Sequence, residues 1–377
     1  MKTVKTLVAV AIAALSSTAA LADINIGVSL SLTGPGSGLG IPMQNQFKLF
    51  PTTIAGEKVN LIILDDASDP GKGAANARRF VTEDKVDLII GSCLTPVAAA
   101  MTPVATEAKT VQLAASPVGV PPGADQWMFR LPQGNDVMAH AMVEHMKKQN
   151  IKTIGFLGYT DAYGELWLKA LTPLAEKAGM KVVATERFAR TDTSVTPQAL
   201  KLSSANPDAI LVVASGSGAA MPHKAVIERG YKGKIYQTHA AATPDLVRIG
   251  GKDVEGSFVV SGPAVIAEQL PDSHPSKKLA VDFVTNYEKL MGPGTRNQFA
   301  GHSYDAAIAL NKAVPLALKS GKPGTPEFRA GLRDALETMG RTVFAHGVMN
   351  WTKSDHWGYT NETGVMLKVV DGKFKVE

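Results

Sequence analysis

The sequence is poor in cysteine and in aromatic residues, and neither sign of charge dominates it. It has 1 Cys in 377 residues, so an internal disulfide is impossible. Aromatic residues make up 6% of the chain, so the core must be built mainly from Ala, Val, Leu and Ile. The formal net charge of +5 is too small and too scattered to indicate nucleic-acid binding. With 45% hydrophobic and 19% charged residues, the composition is that of a globular protein and excludes coiled-coil, collagen-like and disordered classes. The length of 377 residues predicts two domains.

Long apolar runs are also missing, apart from a short one at the N-terminus. Lys2 and Lys5 precede the apolar run Leu7–Leu15, and the sequence Ala20–Ala22, with a small residue on each side of Leu21, follows it. This arrangement is typical of a cleaved secretory signal peptide, whereas a membrane anchor needs about 20 apolar residues. We therefore predict that residues 1–22 are removed and that the protein works in the periplasm.

From Ile24 onward, apolar runs with the length of β-strands alternate with helical segments. This alternation predicts parallel sheets covered by helices on both faces. The alternation breaks near Met128–Gly134 and restarts, which indicates two α/β units. After Gly262 helices dominate, and we expect them to cover one of the earlier sheets, so that the chain crosses between the units more than once. The predicted strands are Ile24–Ser31, Val59–Asp65, Val86–Ile90, Val111–Ala114, Thr153–Tyr159, Lys181–Arg187, Ala209–Ser215, Lys234–Thr238, Leu367–Val370 and Phe374–Val376, and the predicted helices are Gly73–Asp84, Val97–Ala108, Asp136–Gln149, Gly164–Ala178, Pro197–Ser204, Ala219–Arg229, Pro275–Met291, Tyr304–Ser320 and Pro326–Met339.

The glycine-rich and nucleophile-like motifs do not match known catalytic patterns. The loop Gly34–Gly40 lacks the Gly-x-Gly-x-x-Gly spacing of a dinucleotide-binding loop, because Leu39 or Ile41 stands where the last glycine belongs. The sequence Gly216–Gly218 is not a Gly-x-Ser-x-Gly elbow, and Cys93 has no neighbour of the Cys-His type. We therefore predict that the protein is not an enzyme and uses no cofactor.

The histidines do not predict a metal site. His140 and His145 are five residues apart on a predicted helix, so they do not share a face. We interpret His302, Ser303 and Asp305 as polar residues that cap the start of a helix. We predict no metal.

Small hydroxylic residues and glycines follow several predicted strands. In doubly wound sheets, ligands bind beyond the carboxyl ends of the strands, where loops meet helix N-termini. Thr95 directly precedes Pro96 and a predicted helix, so two roles are open for it: a helix cap, or part of a carboxylate site. From another such loop we take Ser215 and Gly216 as candidate ligand contacts. The loops are Gly34–Gly40, Gly91–Thr95, Ala114–Ser116 and Ser215–Gly218.

Short motifs occur in a distinctive order along the chain: Leu32–Pro35, Asp65–Pro70, Asn76–Arg79, Asp84–Asp87, Gly91–Ser92, Phe129–Arg130, Asp161–Gly164, Asn206–Ala209 and Tyr304–Ala306. Their order and spacing resemble the Leu/Ile/Val-type periplasmic substrate-binding proteins of ABC transporters. The resemblance implies the type I periplasmic-binding-protein fold, with two doubly wound parallel-sheet α/β lobes joined by a multi-strand hinge. We expect lobe 1 to contain residues 23–131 and 262–345, and lobe 2 to contain residues 132–261 and 346–377.

The resemblance also implies ligand contacts. In the family, a Ser or Thr after the third strand and backbone amides after the fourth strand bind the ligand carboxylate. These correspond here to Thr95 and to Ala115 and Ser116. A tyrosine of the second lobe closes over the ligand, and Tyr163 matches it. The loop after the first strand supplies a large side chain, which is Leu39 in this chain.

One departure from the family concerns the ligand class. Amino-acid binders place a carboxylate after the strand that corresponds to Lys234–Thr238, where it pairs with the ligand ammonium, but His239 stands there in this chain. An unpaired ammonium in a closed cleft is costly, whereas an imidazole can hydrogen-bond a hydroxyl, carbonyl or carboxylate. The segment Thr95–Thr106 also resembles the subgroup that takes aromatic acids. We therefore expect a carboxylate ligand without an α-amino group, such as an aromatic acid.

Two alternatives stay open at this point. A shift of one residue in the alignment at His239 restores an ordinary site for branched-chain or other aliphatic amino acids. A stand-alone ligand sensor of the same fold is the other alternative. In the favoured interpretation, the protein is a monomer that traps its ligand by hinge closure and delivers it to ABC permease subunits in the inner membrane.

Overall fold

The computed structural model describes residues 23–377, so the predicted signal peptide lies outside the described part. The first part of the chain forms a six-stranded sheet in the order β2-β3-β1-β4-β5-β6. Its strands are β1 (Ile24–Leu30), β2 (Thr53–Ile54), β3 (Glu57–Asp65), β4 (Leu88–Gly91), β5 (Val111–Ala114) and β6 (Met128–Arg130), and its helices are α1 (Ser37–Phe47), α2 (Pro70–Thr82) and α3 (Thr95–Glu107). Apart from the short antiparallel β2, all neighbouring strands are parallel.

The next part of the chain repeats this arrangement around a second sheet. Its strands are β7 (Thr153–Tyr159), β8 (Lys181–Phe188), β9 (Ala209–Val213), β10 (Lys234–Gln237) and β11 (Phe258–Ser261), and its helices are α4 (Asn135–Lys148), α5 (Ala162–Lys177), α6 (Thr196–Ala205), α7 (Ala220–Glu228) and α8 (Pro244–Gly250). The strand order β8-β7-β9-β10-β11 matches the order β3-β1-β4-β5-β6 of the first sheet. The predicted α/β class, with two parallel-dominated sheets, is confirmed.

The rest of the chain returns to the first sheet and then joins the second. It contains α9 (Lys277–Met291), α10 (Gln298–Ala317), α11 (Pro326–Thr338), the hairpin β12 (Thr342–Phe344) and β13 (Gly347–Met349), and the strands β14 (Val365–Val370) and β15 (Lys373–Val376). Helix α10 packs against α1, and α11 packs against β5. Strand β14 then pairs with β11 in antiparallel fashion. The two sheets are therefore linked by three connections: after β6, after β11, and between β12 and β14.

Local sequence explains where several helices begin. Asp69 precedes α2, and its carboxylate accepts a hydrogen bond from the Lys72 amide at 2.7 Å. Thr325 caps α11 in the same way, with Pro326 as the first helical residue. Within the described residues 23–377, the structure contains no helix that is both long and apolar enough to cross a bilayer.

The structure differs from the sequence prediction in several elements, among them β11 and α8, which the sequence pattern did not indicate. Helix α1 begins at Ser37, inside the segment Gly34–Gly40 that we predicted as a loop. Helix α10 begins at Gln298, six residues before the predicted start at Tyr304. Strand β6 lies where we saw only a break between units. The glycine-rich sequence of this segment suggests an irregular loop. Instead, the absence of a side chain at Gly40 allows helix α1 to lie against the backbone of Ser31.

Replacing Gly40 by Ala tests this close approach. A Cβ at Gly40 would collide with the Ser31 carbonyl, so we expect Gly40→Ala to lower the free energy of unfolding by about 2–3 kcal/mol. Gly38→Ala is the control in the same helix, because its Cβ would meet only the Asp245 side chain, at 3.2 Å. The control should be neutral or stabilising by up to about 1 kcal/mol. Urea unfolding measures both, and equal values for the two variants would contradict the packing argument.

Candidate functional site

A cavity lies where loops from the two sheets face each other. The space that can hold the centre of a water molecule measures about 20 Å³, so the cavity is narrow in this structure. The loops that form its walls follow β4 and β5 in the first sheet and β7, β8, β9 and β10 in the second. These loops leave the carboxyl ends of parallel strands, which is where doubly wound sheets bind ligands. The lining residues are Leu39, Cys93, Leu94, Thr95, Ala115, Ser116, Pro117, Pro132, Tyr163, Arg190, Ser215, His239, Ala240, Phe299 and His302.

The structure brings seven of the eight predicted site residues to this cavity: Leu39, Thr95, Ala115, Ser116, Tyr163, Ser215 and His239. The eighth, Gly216, is not among the lining residues. It begins a 3₁₀ turn with a φ of 52°, and a Cβ there would lie 2.8 Å from Leu39 Cδ1. Gly216 therefore allows the turn to approach Leu39 and does not itself border the cavity.

Thr95 does not cap its helix. Helix α3 begins at Thr95 itself, and the preceding Leu94 occupies the cap position without a side-chain hydrogen bond. The Thr95 hydroxyl is buried and has no hydrogen-bond partner in the protein. Of the two roles that the sequence left open, the cap is wrong. A buried hydroxyl without a partner is costly unless a ligand or water bonds it.

A buried carboxylate fixes the wall that the first sheet contributes. Asp66 accepts hydrogen bonds from the hydroxyls of Ser31 at 2.6 Å and Ser92 at 2.7 Å. It also accepts one from the Ser68 amide at 3.0 Å. The Ser116 hydroxyl donates to the Ser92 carbonyl at 3.1 Å. Burial raises the pKa of Asp66, while these hydrogen bonds act in the opposite direction.

A second carboxylate organises the opposite wall. Asp161 caps α5, and its Oδ1 accepts a hydrogen bond from the Tyr163 amide at 2.9 Å. Its Oδ2 accepts one from Arg190 Nε at 2.5 Å, and Arg190 Nη1 donates to the Ser215 hydroxyl at 2.9 Å. The Tyr163 hydroxyl donates to Thr238 Oγ1 at 2.8 Å. Tyr163, Arg190 and Ser215 are thus held at the cavity by one connected network.

Arg190 is a cavity residue that the sequence reasoning missed. It follows β8, and its guanidinium lies 4.0 Å from the centre of the Tyr159 ring. Glycines and hydroxylic residues after strands are the sequence signals that indicate ligand contacts above, and arginine is neither. The one feature of the sequence that could have indicated a ligand contact here is the position of Arg190 just after a predicted strand. It is the one lining residue with a permanent charge, and the lining contains no Asp or Glu.

Two buried histidines border the cavity from different elements. His239 follows β10, and its Nδ1 has no hydrogen-bond partner. Burial lowers the pKa of His239 to about 3, with a smaller effect from His346. His302 lies in α10, and neither of its ring nitrogens has a partner. Burial also holds the pKa of His302 well below its ordinary value, with smaller effects from His346 and His239.

The capping role that we predicted for His302, Ser303 and Asp305 is wrong. Helix α10 begins at Gln298, and Asn297 caps it by accepting a hydrogen bond from the Phe299 amide at 2.8 Å. The three residues therefore lie within the helix, where all are fully buried. The apolar stretch of α10 starts earlier than its sequence pattern showed, which moves these residues from the helix end into the core.

One group among residues 23–377 has the spacing of a metal site. Atoms of His302, Asp305 and His346 lie within 4.8 Å of one another, and all three residues are buried. However, the Asp305 carboxylate already accepts hydrogen bonds from the Ala345 amide at 2.7 Å, from the His346 amide at 3.3 Å and from His346 Nδ1 at 2.7 Å. We therefore treat this group as a hydrogen-bonded network and assign it no metal.

Comparison with known proteins agrees with this architecture. The family model described as periplasmic binding protein matches residues 23–373. An extracellular ligand-binding receptor from Rhodopseudomonas palustris is 46% identical, with a TM-score of 0.93 over 94% of this chain and 99% of that chain. Another such receptor, from Rhodopseudomonas palustris HaA2, is 38% identical, with a TM-score of 0.91 over 94% and 100% of the two chains. No curated protein matches the chain.

More distant structures share the fold. A leucine-binding protein from Thermotoga maritima is 22% identical, with a TM-score of 0.79 over 94% of this chain and 97% of that chain. An ABC transporter solute-binding protein from R. palustris, in complex with benzoate, is 18% identical, with a TM-score of 0.79 over 94% and 95%. The chain therefore belongs to the periplasmic binding protein family and has the type I periplasmic-binding-protein fold.

Proposed function

We propose that this protein is the extracytoplasmic solute-binding component of an ABC importer and that its ligand is a small carboxylate without an α-amino group. Aromatic acids are the favoured ligands. The observation that carries the proposal is the charge of the residues that line the cavity. Arg190 and the unpartnered Thr95 hydroxyl border it, while no lining residue is acidic.

The absence of acidic residues from the lining favours an organic acid over an amino acid. The ammonium of an amino acid would be buried without an anionic partner, and a buried unpaired charge costs several kcal/mol. The carboxylate of the network that holds Arg190, Asp161, is already bonded to Arg190 and to the Tyr163 amide. A ligand carboxylate, in contrast, can accept hydrogen bonds from the Thr95 hydroxyl and from the arginine.

Neutral histidines at the cavity fit the same ligand class. With a pKa of about 3, His239 is uncharged at neutral pH and can donate or accept one hydrogen bond. It does not supply the negative charge that an ammonium needs. The apolar side chains of Leu39, Phe299 and Pro117 add walls that suit a flat hydrocarbon body.

The site supports binding without catalysis. Cys93 borders the cavity, but burial raises the pKa of its thiol to about 12, so the reactive thiolate is not formed at neutral pH. Cavity residues come from both sheets, so a ligand bridges them and favours the closed arrangement. We propose the lobes as residues 23–131 with 262–345 and residues 132–261 with 346–377, and a monomer that docks on inner-membrane permease subunits after cleavage of residues 1–22.

Matched ligand pairs test the ligand class. We expect 3-phenylpropanoate and 4-methylpentanoate to bind at least about 100-fold more tightly than phenylalanine and leucine, which add only the α-amino group. Isothermal titration calorimetry with benzoate as an additional acid measures this ratio. Micromolar binding of leucine without a response to any acid would contradict this proposal and show that the ligands are aliphatic amino acids.

Thr95→Val tests the orphan hydroxyl at nearly constant volume. We expect the dissociation constant for the preferred acid to rise about 10- to 100-fold, since a hydrogen bond to a charged group contributes about 1.5–3 kcal/mol. Thr102→Val in the same helix is the control, because the Thr102 hydroxyl bonds the Ala98 carbonyl and Thr102 does not line the cavity. Equal losses of affinity in both variants would show that the hydroxyl of Thr95 does not contact the ligand.

The dependence of stability on pH tests the neutral state of His239. Its folded pKa, about 3, lies below the unfolded value of 6.5, so the unfolded state binds more protons between these values. Acidification below pH 6.5 should therefore destabilise the protein by up to about 1.4 kcal/mol per pH unit for this group. His239→Gln should remove that part of the slope in urea titrations at several pH values.

His223→Gln is the matched control for this measurement. His223 is also buried, with its pKa lowered to about 4, but it bonds Gln237 and the Asp253 carbonyl and does not line the cavity. We expect both variants to flatten the slope and only His239→Gln to weaken ligand binding. A slope that His239→Gln leaves unchanged would mean that His239 is protonated, or exposed, in the folded protein.

A further inference from the structure

His346 lies where the three connections between the sheets meet. It stands between β12 and β13, and its carbonyl accepts a hydrogen bond from Gln133 Nε2, in the first connection, at 2.8 Å. Gly262, in the second connection, lies so close to both residues that a side chain there would collide with the Gln133 amide. His346 is fully buried. Its position is therefore tied to all three connections.

Asp305 fixes the ring of His346. Asp305 Oδ2 lies 2.7 Å from His346 Nδ1, and Asp305 Oδ1 accepts a hydrogen bond from the Ala345 amide at 2.7 Å. A carboxylate is an acceptor, so the ring carries its proton on Nδ1. The same carboxylate thus determines both the tautomer and the orientation of the imidazole.

The ring of His346 in turn supports His302. The two imidazoles are stacked, with their centres 4.3 Å apart and their planes at 28°. On its other side His302 meets the edge of Phe299, at 5.8 Å and 88°. Because neither nitrogen of His302 has a hydrogen-bond partner, packing rather than hydrogen bonding sets the direction in which they point. His302 borders the cavity, whereas His346 does not.

We propose that Asp305 and His346 are positioning residues for ligand binding: the carboxylate holds the His346 ring, and that ring holds His302 with a nitrogen directed at the ligand. This proposal rests on the proposed function, because it assigns His302 as a ligand contact. His346 therefore both contacts the connections between the lobes and positions the imidazole that binds the ligand. His346 acts through His302 and does not touch the ligand.

The first test needs no ligand. Long-range ¹H–¹⁵N spectra of the histidine rings, assigned with His302→Ala and His346→Phe, report the tautomer of each imidazole. We expect His346 to be the Nδ1–H tautomer with a proton protected from exchange. We also expect the ring signals of His302 to move when His346 is replaced. An Nε2–H tautomer at His346, or unchanged signals of His302, would overturn the proposal.

The second test is a double-mutant cycle measured with benzoate and 3-phenylpropanoate. We expect His346→Ala to weaken binding about tenfold in the wild-type background and less than about twofold in the His302→Ala background. A general loss of packing would instead weaken binding equally in both backgrounds, and that additive result would overturn the proposal. If His346→Ala does not fold, His346→Phe replaces it, because phenylalanine keeps a flat ring but loses the bond to Asp305.

His145→Ala is the control for loss of a buried, packed imidazole. His145 bonds the Tyr236 hydroxyl at 3.0 Å and packs on Phe258 at 4.6 Å, away from the cavity lining. It should change stability without changing the dissociation constant. If wild-type protein binds neither acid, the proposed function fails, and the ligand-free spectra alone decide whether His346 positions His302. If the acids bind and the cycle is additive, only the positioning role fails.

Discussion

The buried carboxylate of Asp66 holds the ligand-facing end of the first sheet together. Serine hydroxyls from the ends of β1 and β4 donate to it, and the Ser116 hydroxyl is linked to the same group through the Ser92 backbone. Several hydrogen bonds offset part of the desolvation of this carboxylate, although burial still raises its pKa. The wall that carries Thr95 and Ser116 is therefore formed before any ligand arrives, which lowers the entropic cost of binding.

In the second sheet, the carboxylate of Asp161 has the corresponding role. There Asp161 is only partly buried, and it combines a helix cap with an ion pair to Arg190. One oxygen positions the start of α5, and with it Tyr163, while the other orients the arginine. Each wall thus has one carboxylate that fixes its loops. Polar atoms without hydrogen-bond partners remain on Thr95, His239 and His302, three residues that line the space between the walls.

Much of this arrangement could be predicted from local sequence, because it depends on strand ends. Strands such as Thr153–Tyr159 and Val111–Ala114 have the predicted bounds, and loops after strands contain Thr95, Ser116, Tyr163 and His239 as expected. Arg190 and His302 could not be recognised in this way. Their roles depend on contacts with Asp161 and His346, which lie 29 and 44 positions away in the sequence and meet them only in the folded chain. Thr95 was ambiguous for a related reason, since a cap and an anion site use the same residue type.

The single cysteine bears on how this protein can be produced. Cys93 is buried, and in the loop after β3 the Ser68 hydroxyl accepts a hydrogen bond from the Gly36 amide and donates one to the Thr33 carbonyl. Hydrogen bonds thus join these loops without a covalent link. The fold consequently needs no oxidant, thiol exchange or isomerase to reach its native connectivity. The protein can fold in a reducing compartment as well as in an oxidising one. Its folding therefore does not depend on the redox state of the compartment in which it works.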